Sequence, residues 1–147
     1  MSLQSVLEKI DSRDCIIEVF GLGYVGFPLS VRLAMSGFSV VGIDKDSVKI
    51  ERLKNNILHD FEQTLKNEFA ECCKNKMLTL STHSKRTDNP RIAIICVPTP
   101  IPNHSTPSNV YVMSAVEKFL SNASPGDVII IESSIEVGTT DQIKDFI

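Results

Sequence analysis

Short apolar runs alternate with amphipathic stretches along most of the chain. Ile16, Ile17, Val19 and Phe20 form an almost continuous apolar run, the pattern of a parallel strand buried on both faces. Glycines at 21, 23 and 26 end it, and a helix is predicted from this loop to about Ser36. Val25, Leu29 and Leu33 lie four apart on one face of that helix. Pro28 sits in its first turns, where a missing N–H costs least, and Gly37 is a natural stop. A second strand spans Ser39 to Ile43 and ends at Asp44. A helical stretch from Ser47 to about Asn55 reaches a polar break at Asn55-Asn56, and an amphipathic helix follows from about Asp60 to Lys74. Leu78 to Ser81 reads as a short strand, and Arg91 to Val97 as a buried strand halted by Pro98 and Pro100. After a Pro-, Asn- and Ser-rich loop at 101–108, Val110 to Leu120 is helical, Pro125-Gly126 turns, and Val128 to Ile131 is a strong strand. Gly138-Thr139-Thr140 opens a last helix.

Strands thus alternate with helices from end to end, with no internal repeat. That order predicts an α/β fold: a Rossmann-type doubly wound parallel sheet in a single domain, with helices on both faces. Residues 1–13 read as a short helical leader or a vector remnant, and residues 14–147 as the domain. A length of 147 residues suits one domain with a sizeable core, and 42% hydrophobic with 22% charged residues is a globular composition. The formal net charge of −3 argues against a general binder of nucleic-acid backbones. No apolar run approaches the roughly 18 residues that span a bilayer, and the N-terminus lacks the apolar core of a signal peptide. A cytoplasmic protein without membrane or nucleic-acid partners is expected. Cys15, Cys72, Cys73 and Cys96 show no CxxC spacing, which suits a reducing compartment. His59, His83 and His104 are scattered, and no metal site is expected.

Gly21-Leu22-Gly23-Tyr24-Val25-Gly26 is a GxGxxG sequence, which carries weight only between a strand and a helix, the setting predicted here. Gly21 permits the tight turn, Gly23 lets a pyrophosphate approach the backbone, and Gly26 lets the helix pack close to the strand. N–H groups at the helix start then face the phosphate charges. A glycine turn without a ligand is the plainer alternative. Asp44 follows Gly26 by 18 positions, at the end of the second strand. A carboxylate there accepts hydrogen bonds from the adenosine ribose and repels the 2′-phosphate of NADP, so NAD is the expected cofactor. Lys45 and Lys49 are cations able to tolerate that phosphate, and Asp46 reads as a helix N-cap. Cys96-Val97-Pro98-Thr99-Pro100 lies at the carboxyl end of a strand, where open α/β sheets bind ligands. Its prolines fix the backbone beside the cofactor, and Cys96 reads as core packing rather than a nucleophile. Glu132-Ser133-Ser134 ends the last strong strand in the same way. Its hydroxyls are placed to reach a nicotinamide ribose or an ordered water, with an ST-turn and helix cap as the plainer alternative.

In this order the segments resemble the UDP-glucose/GDP-mannose dehydrogenase family. Gly21 to Gly26 followed by Pro28-Leu29 matches its GLGYVGxPLA signature, Cys96 to Pro100 its CVPTP segment, and Ser133-Ser134 with Gly138-Thr139-Thr140 its EST…GTT segment. The resemblance covers residues 14–147 and implies a Rossmann-type N-terminal domain, followed in the family by a helical dimerisation region and a nucleotide-sugar domain. It implies oxidation of a sugar C6 alcohol to a carboxylate with two NAD, through a cysteine thioester, in a homodimeric parent protein. It also implies that Gly21, Gly23, Tyr24, Val25 and Gly26 hold the pyrophosphate, and that Asp44 and Lys49 hold the adenosine ribose. Val97, Pro98 and Thr99 would flank the cofactor, with Ser133 and Ser134 near the nicotinamide. Ser134 stands where the family has a threonine that positions a catalytic water. The family's cysteine, lysine, asparagine and aspartate lie downstream of the matched segments, so these residues are expected to bind NAD without turnover.

Three departures accompany the match. Glu18 lies within the first strand, where a buried carboxylate needs a partner, and is expected to face an edge or a helix terminus. His59-Asp60-Phe61-Glu62 replaces the family's EPGL segment, and Glu136-Val137 replaces a common Pro-containing pair. The ESS…VGTT wording leans toward the UDP-N-acetylmannosamine or a related N-acetylhexosamine branch. Two other readings are a β-hydroxyacid dehydrogenase, which leaves CVPTP with GTT unexplained, and a stand-alone NAD-binding or redox-sensing module.

Overall fold

The computed structural model describes residues 2–58, 61–101 and 108–147. His59 and Asp60 of the EPGL-like segment, the expected start of a helix at Asp60, and the heart of the Pro-rich loop at 102–107 lie outside the described residues. In chain order the elements are α1 (Leu3–Asp11), β1 (Ile16–Phe20), α2 (Gly26–Met35), β2 (Ser39–Ile43), α3 (Ser47–Lys54), α4 (Gln63–Lys74), β3 (Leu78–Ser81), β4 (Arg91–Ile95), α5 (Val110–Leu120), β5 (Val128–Ile131) and α6 (Thr139–Phe146). Among the described residues no helix is long and apolar enough to cross a membrane.

The five strands form one sheet in the order β3-β2-β1-β4-β5. All neighbours are parallel, and Ile16 of β1 aligns with Ser39 on one side and Arg91 on the other. The chain winds outward from β1 through β2 to β3, then returns to place β4 on the other flank of β1. The order therefore reverses between β1 and β4, and a crevice opens there at the carboxyl ends of the strands.

Alternation along the strands feeds two cores. Ile17, Val19, Val40 and Ile92 pack on one face against Phe27 and Val31 of α2 and Phe69 of α4. Phe20, Ile43, Ala93 and Ile95 pack on the other against Val112, Val116 and Phe119 of α5 and Ile143 of α6. Edge-to-face rings lock each layer, with Phe27–Phe69 centroids 5.1 Å apart and Phe20–Phe119 centroids 6.3 Å apart. Ahead of the sheet, Val6 of α1 is buried and Ile10 packs against the first core. At the sheet's far side β5 is the outermost strand, and its Ile130 is 44% exposed.

One boundary and one face differ from the sequence expectation. The buried stripe of α2 is Phe27, Val31 and Ala34, whereas Val25 is exposed and Leu29 and Leu33 are only partly buried. This helix carries apolar residues on nearly every side, so spacing alone did not select the inward face. β4 ends at Ile95 rather than Val97, although the Cys96 amide still donates to the Phe20 carbonyl at 2.7 Å. The Ser133 hydroxyl donates to the Val97 carbonyl at 2.8 Å, which turns that carbonyl out of the ladder.

Glu18 meets neither an edge nor a helix terminus. It lies mid-strand in β1, 2% exposed, and its partner is Arg91 at the start of β4, itself 1% exposed. The Arg91 guanidinium donates to Asp127 Oδ2 from Nε at 3.2 Å and from Nη2 at 2.8 Å. It also donates to the Asn122 carbonyl at 2.6 Å and the Ser84 hydroxyl at 3.0 Å, and it lies 4.4 Å from the Phe119 ring centroid. Ser84 passes the interaction on, donating to Glu18 Oε2 at 2.8 Å, while Glu18 sits 3.7 Å from Arg91 Nη1. Asp127 already neutralises the single cation, so Glu18 is the surplus charge. Its burial outweighs the help of Ser84 and Arg91 and raises its pKa above the ordinary 4.5.

Replacing Arg91 with Met leaves two buried carboxylates unpaired and is expected to cost about 3–5 kcal/mol in urea unfolding. Glu18→Gln keeps an acceptor for Ser84 and removes the surplus charge. A raised folded-state pKa gives stability that is lost as pH rises through it. Glu18→Gln is therefore expected to match or exceed the native chain at neutral pH, with its advantage vanishing as pH falls toward 4.5. An advantage that instead grew on acidification would contradict the assigned environment.

Candidate functional site

A cleft of about 780 Å³ opens at the carboxyl ends of β1, β2 and β4. Of the residues singled out by sequence, Gly21, Gly23, Tyr24, Val25, Asp44, Lys49, Val97, Pro98, Thr99, Ser133 and Ser134 all line it. Gly26 lies behind its wall. A larger depression of about 920 Å³ between α5, α6 and β5 contains no residue of the glycine loop, of 44–49 or of 96–99.

Each loop glycine answers a different spatial demand. Gly21 has φ +93°, and a Cβ there would stand 2.6 Å from the Cys96 carbonyl oxygen. A Cβ at Gly26 would land on the Gly21 carbonyl oxygen and 3.0 Å from the Cys96 Cβ, so only glycine lets α2 start this close to β1 and β4. A Cβ at Gly23 would meet nothing within 4 Å: the space beside it is open. α2 begins here without a side-chain cap, since Val25 occupies the N-cap. The Tyr24, Val25 and Gly26 amides find no acceptor among the described residues. They form the positive end of a helix dipole beside an uncluttered stretch of backbone. The exposed Tyr24 side chain leans toward Phe61, with centroids 6.1 Å apart.

Asp44 is 7% exposed at the end of β2. Its Oδ2 accepts from the Leu22 amide at 3.0 Å and from Lys49 Nζ at 2.7 Å, and its Oδ1 accepts from the Asp46 amide at 3.0 Å. Burial alone would raise its pKa, but Lys49 and the amides of Asp46 and Leu22 outweigh it and hold the carboxyl below the ordinary 3.8. The site thus presents a carboxylate that stays ionised. Asp46 also lines the cleft and caps α3, its Oδ1 accepting from the amides of Val48 and Lys49 at 2.9 and 3.1 Å.

On the opposite wall Cys96 packs against the first core. Burial, aided by the charge of Glu132, pushes its thiol up to about 11, so it is protonated at neutral pH and is no nucleophile. The Ser133 hydroxyl is engaged with the Val97 and Ile95 carbonyls at 2.8 and 3.1 Å. It pins the turn after β4, while the exposed Ser134 is the residue of the pair open to solvent. Thr139 of the GTT segment is 1% exposed and accepts from Asn109 at 2.7 Å, joining the starts of α5 and α6.

The cleft also contains residues that pattern reading passed over. Tyr111, Ser114 and Lys118 of α5 face it, as does Thr82 after β3. The sequence marked 110–120 as helical without showing that one flank of it closes a ligand site.

Residues 15–147 match the family model for the UDP-glucose/GDP-mannose dehydrogenase family, NAD binding domain. A UDP-N-acetyl-D-mannosamine dehydrogenase of Methanococcus aeolicus is 33% identical over 99% of this chain and 32% of its own length. A UDP-N-acetyl-mannosamine dehydrogenase structure from Staphylococcus aureus superposes with a TM-score of 0.79 at 30% identity, covering 89% of this chain and 33% of that one. An NDP-N-acetyl-D-galactosaminuronic acid dehydrogenase structure from Methanosarcina mazei gives a TM-score of 0.81 at 25% identity, covering 99% and 34%. The chain spans about a third of the length of the curated relatives it matches. It belongs to the UDP-glucose/GDP-mannose dehydrogenase family, as the NAD-binding domain.

Proposed function

We propose that this chain is the cofactor-binding part of a cytoplasmic nucleotide-sugar 6-dehydrogenase that oxidises the C6 alcohol of a UDP-N-acetylhexosamine or UDP-glucose to a carboxylate with two NAD. The observation that carries this reading is the juxtaposition, in one cleft, of the open backbone at Gly23, the acceptor-less amides opening α2, and the ionised Asp44. A diphosphate suits the amides, and an unphosphorylated ribose suits the acid. Gly21, Gly23, Tyr24, Val25 and Gly26 would hold the diphosphate, Asp44 and Lys49 the adenosine ribose, and Val97, Pro98 and Thr99 the flank of the cofactor. Bound NAD supplies the hydride acceptor. Ser133 supports the turn beside the nicotinamide end, and Ser134 offers a hydroxyl to position water there. The sugar and the cysteine chemistry belong to residues outside this chain, in a parent protein that forms a homodimer.

Calorimetric titration is expected to show NAD binding at least tenfold tighter than NADP. Asp44→Ala removes a charged acceptor and is expected to weaken NAD by about tenfold to a hundredfold, while narrowing the gap to NADP. Tighter binding of NADP by the native chain would overturn the assignment of Asp44. Mixed with NAD and UDP-N-acetylmannosamine or UDP-glucose, the 147-residue chain is expected to form no NADH by absorbance, and measurable NADH would contradict the division of labour.

A further inference from the structure

At the end of the cleft that Asp44 marks, Lys45 Nζ stands 4.0 Å from the centroid of the Tyr111 ring. The two residues come from separate elements: Lys45 follows β2 and Asp44 directly, and Tyr111 is in the first turn of α5. Both line the cleft, and neither side chain is buried. The pair therefore spans the cleft just beyond the ribose acid, where the base of an adenosine held by Asp44 must lie. A flat base stacks on an aromatic ring at a contact distance of about 3.5–4.0 Å. That is the layer the ammonium occupies, so base and ammonium cannot share this ring face.

We propose that Tyr111 is the stacking platform for the adenine of NAD, and that Lys45 competes with the adenine for the same face of the ring. This rests on the reading of the cleft as an NAD site and adds to it the residues that set affinity at the base end. Tyr111 supplies a sequence-tolerant aromatic surface of the kind that holds bases elsewhere. Lys45 makes an exposed cation–π contact, weak enough for a base to displace. The other charged groups lining the cleft are Asp44, Asp46, Lys49, Lys118 and Glu132, and Asp44 with Lys49 is already paired. The ammonium consequently has a rival attraction to nearby carboxylates once it leaves the ring.

The competition gives a sign that ordinary electrostatics does not. Removing a lysine near an anionic ligand should weaken binding; removing a competitor should strengthen it. With ADP as the probe, calorimetry on the whole chain is expected to show Lys45→Ala binding about twofold to fivefold tighter than the native chain. Tyr111→Ala is expected to bind about tenfold weaker, and Tyr111→Phe within about twofold of native, because the ring survives. In a Tyr111→Ala background, Lys45→Ala should no longer tighten binding. Tyr24 and Tyr111 are the two tyrosines, so tyrosine-selective ring labelling of the native chain gives two sets of ring signals by NMR, and the set missing from Tyr111→Phe is that of Tyr111. Saturating ADP should shift that set upfield. Unchanged or weakened ADP binding in Lys45→Ala, undiminished binding in Tyr111→Ala, or an unmoved Tyr111 resonance at saturation would each overturn the proposal. A native chain that bound neither ADP nor NAD would overturn the cofactor reading as well, whereas normal native binding with these variant failures would overturn the stacking pair alone.

Discussion

The hydrogen bond from the Leu22 amide to the Asp44 carboxylate couples the two halves of the cleft. It joins the loop after β1 to the end of β2, two strands already held in register by Phe20 opposite Ile43. A buried amide that lost this acceptor would be left unsatisfied, and hydrogen bonds to charged acceptors contribute about 1.5–3 kcal/mol. The same carboxylate accepts from Asp46 and Lys49, so loop, strand end and the start of α3 converge on one ionised group. Whatever ligand the acid selects is met by a group whose position the fold has already fixed.

A second charged knot sits toward the other end of the sheet. Arg91 opens β4 and gathers Asp127, Ser84 and Glu18, which come from the turn before β5, the crossover after β3, and β1. The two knots differ in kind. At Asp44 the net effect favours the charged carboxylate, which suits a group that faces a ligand. At Glu18 burial prevails and disfavours the charge, which suits a group closed inside the packing. Between them, apolar β1 and β4 carry the crevice as a rigid floor.

Much of this was legible beforehand because its causes are local. Apolar runs between turn residues located all five strands, and Gly21, Gly26 and Asp44 declared their places through spacing alone. What stayed hidden depended on residues meeting across the fold. Glu18 looked partnerless because Arg91 becomes its neighbour only when β4 pairs with β1. Ser133 looked like a hydroxyl for the cofactor, yet the Val97 carbonyl lies closer at hand. Tyr111 and Lys45 carry no motif, and their contact needs the β2 end and α5 brought to the same side of the sheet. The inward face of α2 was misread for the opposite reason: too many apolar positions left several stripes equally plausible.

The two rims of the sheet are not alike. β3 reads Leu-Thr-Leu-Ser, with polar side chains at every second position, whereas β5 reads Val-Ile-Ile-Ile with Ile130 turned partly to solvent. No described strand pairs with the outer side of β5, and it carries none of the lysines, prolines or bulges by which natural rims repel other chains. Taken alone, then, the domain has two open borders, of which the one at β5 is the more apolar. Crowded solutions of it should coalesce through that border, well away from the glycine loop.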